Sequence, residues 1–292
     1  MNRLTGFMFE NHVAHGALVE LTAGVDEMIG QRDYGGDVRR LLGEAMAAMP
    51  LLATHLRFEG RINLQFQSSG PLKLLVAQID HHLSLRAMAK APAALAGGFA
   101  ELLAGGVLAL MLEPNNVPGG PQRQATQALV PIQGDSLAQA LEAYFEQSEQ
   151  LPTVIRIGTG AGRLCGFILQ RLPLQHAQAS QEDWHRLQAL AGTLHGAELL
   201  REPAQVLLAR VFGGEALRVF EPREVAVSCR CSRAGISRLL LALGREEVDS
   251  ILAEQGRVEV TCEFCGRRYE YRGAEATELF AAAGSTPPQT RH

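Results

Sequence analysis

The sequence predicts an α+β protein in three parts: a large mixed N-terminal domain, a helical connector, and a small C-terminal domain organised by four cysteines. Three observations predict it. Period-two and Gly- or Pro-bounded apolar runs alternate with helical spacing through residues 1–176. After Pro173 the apolar spacing becomes helical alone. Four of the five cysteines are then confined to residues 229–292.

Residues 38–52 carry Val38, Leu41, Leu42, Ala45 and Met49 at helical spacing, with Pro50 inside the apparent end. Ile62, Leu64 and Phe66 alternate with polar Asn63, Gln65 and Gln67, the pattern of a half-buried strand, and Ser68-Ser69-Gly70-Pro71 ends it. The runs 106–112, 129–132 and 154–157 are short, apolar and bounded by Gly or Pro, which favours strands over helices. Residues 113–125, rich in Pro, Asn and Gly, read as an exposed loop. Gly134-Asp135-Ser136 precedes a helix over 137–148, in which Asp135 or Ser136 supplies the N-cap. Leu137, Leu141, Tyr144 and Phe145 form its buried face, and Pro152 stops it.

In the connector, Ser180 caps a helix whose stripe is Trp184, Leu187, Leu190 or Ala191, and Leu194. Glu202-Pro203 interrupts it, residues 204–212 form a further helix, and Gly213-Gly214 breaks the chain. Helices this short are marginal alone, so the stripe must lie on another surface. The expected organisation is therefore a domain over 1–176, a connector over 177–224, a cysteine domain over 225–280, and a disordered tail over 281–292 containing Pro287-Pro288.

Of the 292 residues, 47% are hydrophobic and 20% charged, enough for one large core and a smaller unit. Lys and Arg number 27 against 31 Asp and Glu, and a net charge of −4 offers no footprint for nucleic acid or anionic lipid. Apolar stretches such as 107–112 are far too short to span a bilayer. The opening residues show no secretory signal pattern, so a soluble cytoplasmic protein is expected. Paired cysteines in a reducing cytosol point to metal or transient redox chemistry. There is no P-loop, G-x-G-x-x-G, H-E-x-x-H or G-x-S-x-G, and a non-enzymatic, nucleotide-independent role is expected.

The chemistry sits in Cys229-Arg230-Cys231 and Cys262-Glu263-Phe264-Cys265, separated by thirty residues. As thiolates the four can close a tetrahedral zinc site; as sequence neighbours they can oxidise pairwise. Disulfide formation consumes the electron pairs that hold the metal, so the two states exclude each other. The alternating segment 258–261 enters the C-x-x-C turn, Gly266 supplies the backbone angles needed beyond it, and 266–271 reads as a returning strand. That is a zinc knuckle. A thiol–disulfide oxidoreductase would need its C-x-x-C to open a helix, which disfavours that reading. A binding module with a permanent structural zinc is the other alternative.

Two features favour a switch. A bridge within C-x-C closes a strained small ring, and strained disulfides tend to be labile. Between the pairs, residues 237–243 with Val248, Ile251 and Leu252 make a core too small to hold a domain of roughly fifty residues without a staple. Arg230, Arg233, Arg267 and Arg268 lie near the ligands in sequence, where they would offset the −2 charge of a zinc tetrathiolate. Residues 222–273 hold nine basic and eight acidic side chains, too balanced for a nucleic-acid clamp. None of the nine histidines shows metal-ligand spacing with the cysteines, and His81-His82 reads as a surface turn after Asp80. Cys165, within the apolar run 163–168, reads as a buried inert thiol.

Over nearly its full length the chain resembles the heat-shock protein 33 family of redox-regulated holdase chaperones. The resemblance rests on Phe9-Glu10-Asn11, on Gly134-Asp135-Ser136-Leu137 with Tyr144-Phe145, and on Ser148-Glu149-Gln150-Leu151-Pro152-Thr153. It rests also on Cys229-Arg230-Cys231-Ser232, on residues 246–252 (EEVDSIL), and on Cys262-Glu263-Phe264-Cys265-Gly266. It implies one Zn²⁺ held by Cys229, Cys231, Cys262 and Cys265 in a reduced, inactive form. It also implies oxidation to Cys229–Cys231 and Cys262–Cys265 bridges, with release of zinc and destabilisation of the connector. The active form would be ATP-independent, commonly a homodimer, and would hold unfolding client proteins through the N-terminal domain. Cys165 matches no position of the family pattern.

Overall fold

The computed structural model describes residues 1–30, 32–55, 59–115, 124–173 and 179–284. It divides into compact units over Met1–Ser228 and Cys229–His292. In the first, the strands are β1 (Arg3–Phe9), β2 (Ala14–Leu21), β3 (Gly60–Gln67), β4 (Leu74–Asp80), β5 (Ser84–Lys90), β6 (Val107–Pro114) and β7 (Thr126–Pro131). They continue as β8 (Thr153–Gly160), β9 (Arg163–Arg171), β10 (Leu217–Val219), β11 (Arg223–Glu224) and β12 (Ala226–Val227). The helices are α1 (Val25–Ile29), α2 (Gly36–His55), α3 (Phe99–Leu102), α4 (Leu137–Tyr144), α5 (Ala179–Gly192), α6 (Gly196–Leu199) and α7 (Ala204–Phe212).

Two sheets share one helix. The first runs β10-β1-β2-β9-β8, with β11 also paired to β1; the second runs β12-β5-β4-β3-β6-β7. Every pairing is antiparallel except β12 on β5. Helix α2 touches β2, β8 and β9 of one sheet and β3, β4 and β5 of the other. Its spacing predicts one apolar face, yet Ala45, Met46, Ala47, Ala48, Met49, Leu51 and Leu52 are all buried. Flanked by two sheets, it continues past Pro50 to His55. Proline removes one backbone N–H and crowds the preceding turn, but burial of the following two leucines at roughly 1.5–3 kcal/mol each offsets that cost.

The predicted strands form, with two corrections. Asn63 is expected on a half-exposed face but is 1% exposed. Its Nδ2 donates to Glu113, which also takes a hydrogen bond from Arg61, so neighbouring polar side chains close over it. Glu113 and Pro114, expected in a loop, end β6 instead; positions 116–123 of that loop lie outside the described residues. Ser136, not Asp135, caps α4, accepting from the Gln139 backbone N–H. Leu137, Leu141, Tyr144 and Phe145 are buried as the pattern requires. The last predicted turn is a wider one over Phe145–Glu149.

The connector's stripe finds its surface on the first sheet. Trp184, Leu187, Ala191 and Leu194 are buried, while Leu190 packs only partly. They join Leu207, Leu208 and Phe212 against Phe7, Phe9 and Phe167. Phe9 meets Phe212 edge-on at 5.2 Å between centroids, and Phe7 stacks on Phe167 at 6.0 Å. Helix α5 already includes Ala179, one residue ahead of the expected cap.

The second unit contains α8 (Arg233–Leu243), α9 (Arg245–Gln255), the hairpin β13 (Val258–Thr261) and β14 (Arg268–Tyr271), and α10 (Gly273–Gly284). Residues 225–228 belong to the first unit: Val225 is buried and β12 pairs with β5. Residues 281–284, expected in the disordered tail, complete α10, and 285–292 lie outside the described residues. No helix among the described residues is long and apolar enough to cross a membrane.

Candidate metal centre

The C-x-x-C half of the site is a hairpin turn. β13 and β14 pair antiparallel from Val258↔Tyr271 to Thr261↔Arg268. Beyond them the Cys262 N–H donates to the Arg267 carbonyl at 2.9 Å, and the Gly266 N–H to the Cys262 carbonyl at 2.9 Å. Gly266 has φ 65°, the left-handed conformation that its missing Cβ permits. The C-x-C half is the approach to α8, where Ser232 caps the helix by accepting from the Gly235 N–H at 3.1 Å. Cys231 thus lies beside a helix N-terminus, a position that favours negative charge.

These two local devices bring all four Sγ atoms within 4.8 Å of one another. Cys229 and Cys262 approach to 3.6 Å, Cys231 and Cys265 to 3.3 Å. A tetrahedral ion with metal–sulfur bonds of ~2.3 Å needs sulfur–sulfur edges of about 3.8 Å. The donor set fits one soft or borderline divalent ion. Among the described residues it is the one group of three or more His, Cys, Asp or Glu so placed. All four cysteines are half-buried.

Their environments differ. Burial raises the Cys231 thiol, but hydrogen bonds from Tyr269 and from the neighbouring cysteines outweigh it and hold the group at about 7. For Cys265 burial dominates; the other sulfurs add to it against one backbone N–H from Arg267, pushing the thiol to about 12. Burial also raises Cys229, against a backbone N–H from Cys231. Bound cation charge would favour all four thiolates.

Tyr269 carries a contact that sequence reading missed. Its hydroxyl donates to the Cys231 sulfur at 3.2 Å. The hairpin register and the thirty-residue return to Cys231 are both needed to see it. The unit's buried core is Leu240, Val248, Val258, Tyr269, Tyr271 and Ala276, with Cys231 and Cys262 packed against it. Of the expected core, Leu240 and Val248 are buried, whereas Leu239 and Leu243 are 57% and 51% exposed. Helix α10 supplies what they do not, through Ala276, Leu279 and Phe280.

Of the arginines expected to neutralise the cluster, Arg233 and Arg268 have other partners, whereas Arg267 interacts with Tyr269 and also with Cys231 and Cys265. Arg233 pairs with Glu275, donates to the Glu270 carbonyl and stacks on the Tyr271 ring at 4.3 Å. Arg268 lies 3.7 Å from Glu259. Arg267 faces the Tyr269 hydroxyl. Cys165 is on β9 of the first unit, 3% exposed and not one of the grouped cysteines, its thiol raised by burial despite Arg163 beside it. The His81 and His82 rings lie 3.9 Å apart on the turn after β4.

The fold and the site together define a class: a mixed α+β unit with a helical cover, followed by a four-cysteine knuckle built to hold one ion. Comparison with known proteins narrows this. The family described as Hsp33 protein matches residues 2–272. The 33 kDa chaperonin of Nitrosococcus oceani is 39% identical over 100% of this chain and 99% of its own length. That of Vibrio cholerae is 36% identical, covering 98% of each. The crystal structure of the Thermotoga maritima 33 kDa chaperonin, a heat shock protein 33 homolog, superposes with a TM-score of 0.82 over 97% of this chain and 99% of that one, at 22% identity. The chain belongs to the Hsp33 family, a family of chaperones.

Proposed function

We propose that this chain is a redox-regulated, ATP-independent holdase of the cytoplasm, non-enzymatic, with Zn²⁺ as the clamp of its inactive form. The observation that carries the reading is the four-sulfur cluster seated on a core of six buried side chains among the described residues. Bound zinc holds four thiolates in one tetrahedron and supplies apparent binding free energy of ~10–16 kcal/mol in small peptides. The unit's own core falls well short of that. The ligands are Cys229, Cys231, Cys262 and Cys265, and no histidine takes part.

Oxidation proceeds through the cysteines. A thiolate attacks peroxide, an S–O bond forms as O–O breaks, and hydroxide leaves. The neighbouring thiolate then attacks that sulfur, S–S forms and a second hydroxide leaves. Each bridge, Cys229–Cys231 and Cys262–Cys265, costs one peroxide two electrons' worth of reduction and removes two metal ligands. The Ser228 N–H donates to the Leu85 carbonyl one residue before Cys229, so unfolding of the small unit in the oxidised form would begin one peptide bond beyond a segment paired to β5. Fraying from there frees the chain that follows the connector. In this division of labour residues 1–176 bind clients and dimerise, 177–228 switch, and 229–284 sense. The face beneath α5 and α7, lined by Phe7, Phe9 and Phe167, is an apolar surface of the kind an unfolding client needs.

The test follows zinc with a colorimetric chelator while reduced protein meets peroxide at elevated temperature, and assays the same samples for suppression of a client's aggregation. Zinc leaving as suppression appears, with reversal by dithiol reductant, supports the switch. Zinc that stays bound, or leaves without gain of holding, makes the site purely structural; turnover of a dithiol substrate would make it an oxidoreductase.

A further inference from the structure

We propose that the Tyr269 hydroxyl is a positioning donor that restrains the Cys231 sulfur and sets how fast an electrophile attacks the metal-loaded cluster. The inference rests on the metal-clamp reading above. Tyr269 stands on β14, 7% exposed, and points its O–H at Cys231 Sγ across 3.2 Å. Tyr271, two residues on along the same face, spends its hydroxyl elsewhere, on the Arg233 carbonyl at 2.9 Å with Ser237 Oγ at 3.0 Å. One tyrosine therefore anchors the start of α8, and the other addresses a ligand.

The donors at two other sulfurs are main-chain groups. The Cys231 N–H faces Cys229 and the Arg267 N–H faces Cys265. Those follow from the course of the turns and survive any side-chain exchange. Cys231 differs in receiving its hydrogen bond from a side chain, and behind it the Arg267 guanidinium stands close to the Tyr269 hydroxyl. A guanidinium polarising a phenol that donates to a thiolate is a directional relay.

A metal-bound thiolate retains a lone pair able to attack carbon or oxygen electrophiles. A hydrogen bond to that sulfur withdraws charge from the pair, as outer-shell partners do for metal ligands generally. Thiolate nucleophilicity follows basicity with a Brønsted slope of about 0.4–0.5. Loss of one charge-assisted hydrogen bond is then expected to speed attack at Cys231 by about three- to tenfold. The relay makes the off-state slow to trip, and places the control at one sulfur of four.

The experiment uses the full reduced, zinc-loaded chain and iodoacetamide, so that no oxidant and no holding assay enters. Each alkylation forms S–C as iodide leaves, and peptide mass spectrometry times it separately at Cys229, Cys231, Cys262 and Cys265. Tyr269→Phe should raise the Cys231 rate three- to tenfold with the other three within twofold. Arg267→Met, which leaves the buried ring untouched, should raise it by a smaller factor in the same selective way. In cobalt-loaded protein, the sulfur-to-metal charge-transfer band of Tyr269→Phe should move to lower energy. An unchanged Cys231 rate in both variants overturns the proposal, as does a parallel rise at all four sulfurs, which marks general loosening. Should Tyr269→Phe fail to load metal, Arg267→Met alone decides between those outcomes. If wild-type protein shows no charge-transfer band with cobalt, the metal clamp itself is wrong, a failure distinct from that of the relay.

Discussion

In the proposed tetrathiolate each of the four clustered sulfurs would supply one bond of the tetrahedron, a part no other residue of the small unit can take. Cys262→Ala leaves three thiolates and an open position, and zinc affinity should fall on the order of 100-fold or more, read by competition with a chromophoric chelator. A variant that competed as well as wild type would remove Cys262 from the ligand set. Cys165 makes the opposite prediction. Burial raises its thiol, and Leu199 and Leu207 of the connector region belong to the same buried cluster. The sign is clear: at pH 8 the reactive thiolate is scarcer than for a free cysteine. Cys165 should resist iodoacetamide in reduced, metal-loaded protein and react once the connector lifts after peroxide and heat. Continued silence in the holding-competent form would mean that the cover stays down. The two cysteine pairs that cluster were legible because their spacing is local, two and three residues. Tyr269 and the buried Asn63 were not, since each depends on a partner met only through strand register: Cys231 in one case, Glu113 in the other.

Among the elements, α5 is held by its stripe. Leu187 is 0% exposed in the cluster that includes Phe7 and Phe9. Leu187→Ala removes buried methyl groups and leaves a cavity, at a cost of about 2–5 kcal/mol. That loss should fall on the docking of 179–212 more than on the sheets, which α2 holds from the other side. Amide exchange over 179–212 should quicken while β2 and β9 keep their protection, and holding activity should begin at a lower temperature. Equal loosening of sheet and connector would deny that the connector opens on its own. The stripe was readable from sequence because helical spacing needs no partner to be recognised. The partner was not readable, and neither were β10, β11 and β12, two or three residues each. Strands that short carry no period; they form because β1 and β5 offer open edges. The depth of α2 escaped for a related reason. Spacing reports one apolar face, whereas two sheets bury the alanines and methionines between.

For the whole molecule, the two units differ in what sustains them. The first buries most of α2 between two sheets and a second layer of helices against an aromatic face. Among the described residues the second packs three helices and a hairpin around six buried residues, two of them tyrosines with hydroxyls engaged. Cores of that size rarely supply more than about 3–5 kcal/mol, which leaves little margin without a staple. On the proposed reading, metal binding is folding for the second unit, whereas the two sheets of the first stand without it. Stripping the ion with an excess of strong chelator under reducing conditions should remove amide protection throughout 229–284 and leave β1 to β9 protected. Readdition of zinc should restore it in proportion to occupancy, as mass action requires. The same treatment separates the two ways in which metal loss and holding can be linked. If chelation alone exposes Cys165 and confers holding, unfolding of the second unit is sufficient and the disulfides serve to keep the metal away. If chelated, reduced protein loses the second unit yet holds nothing, the bridges must act on the connector themselves, and zinc is only their gatekeeper.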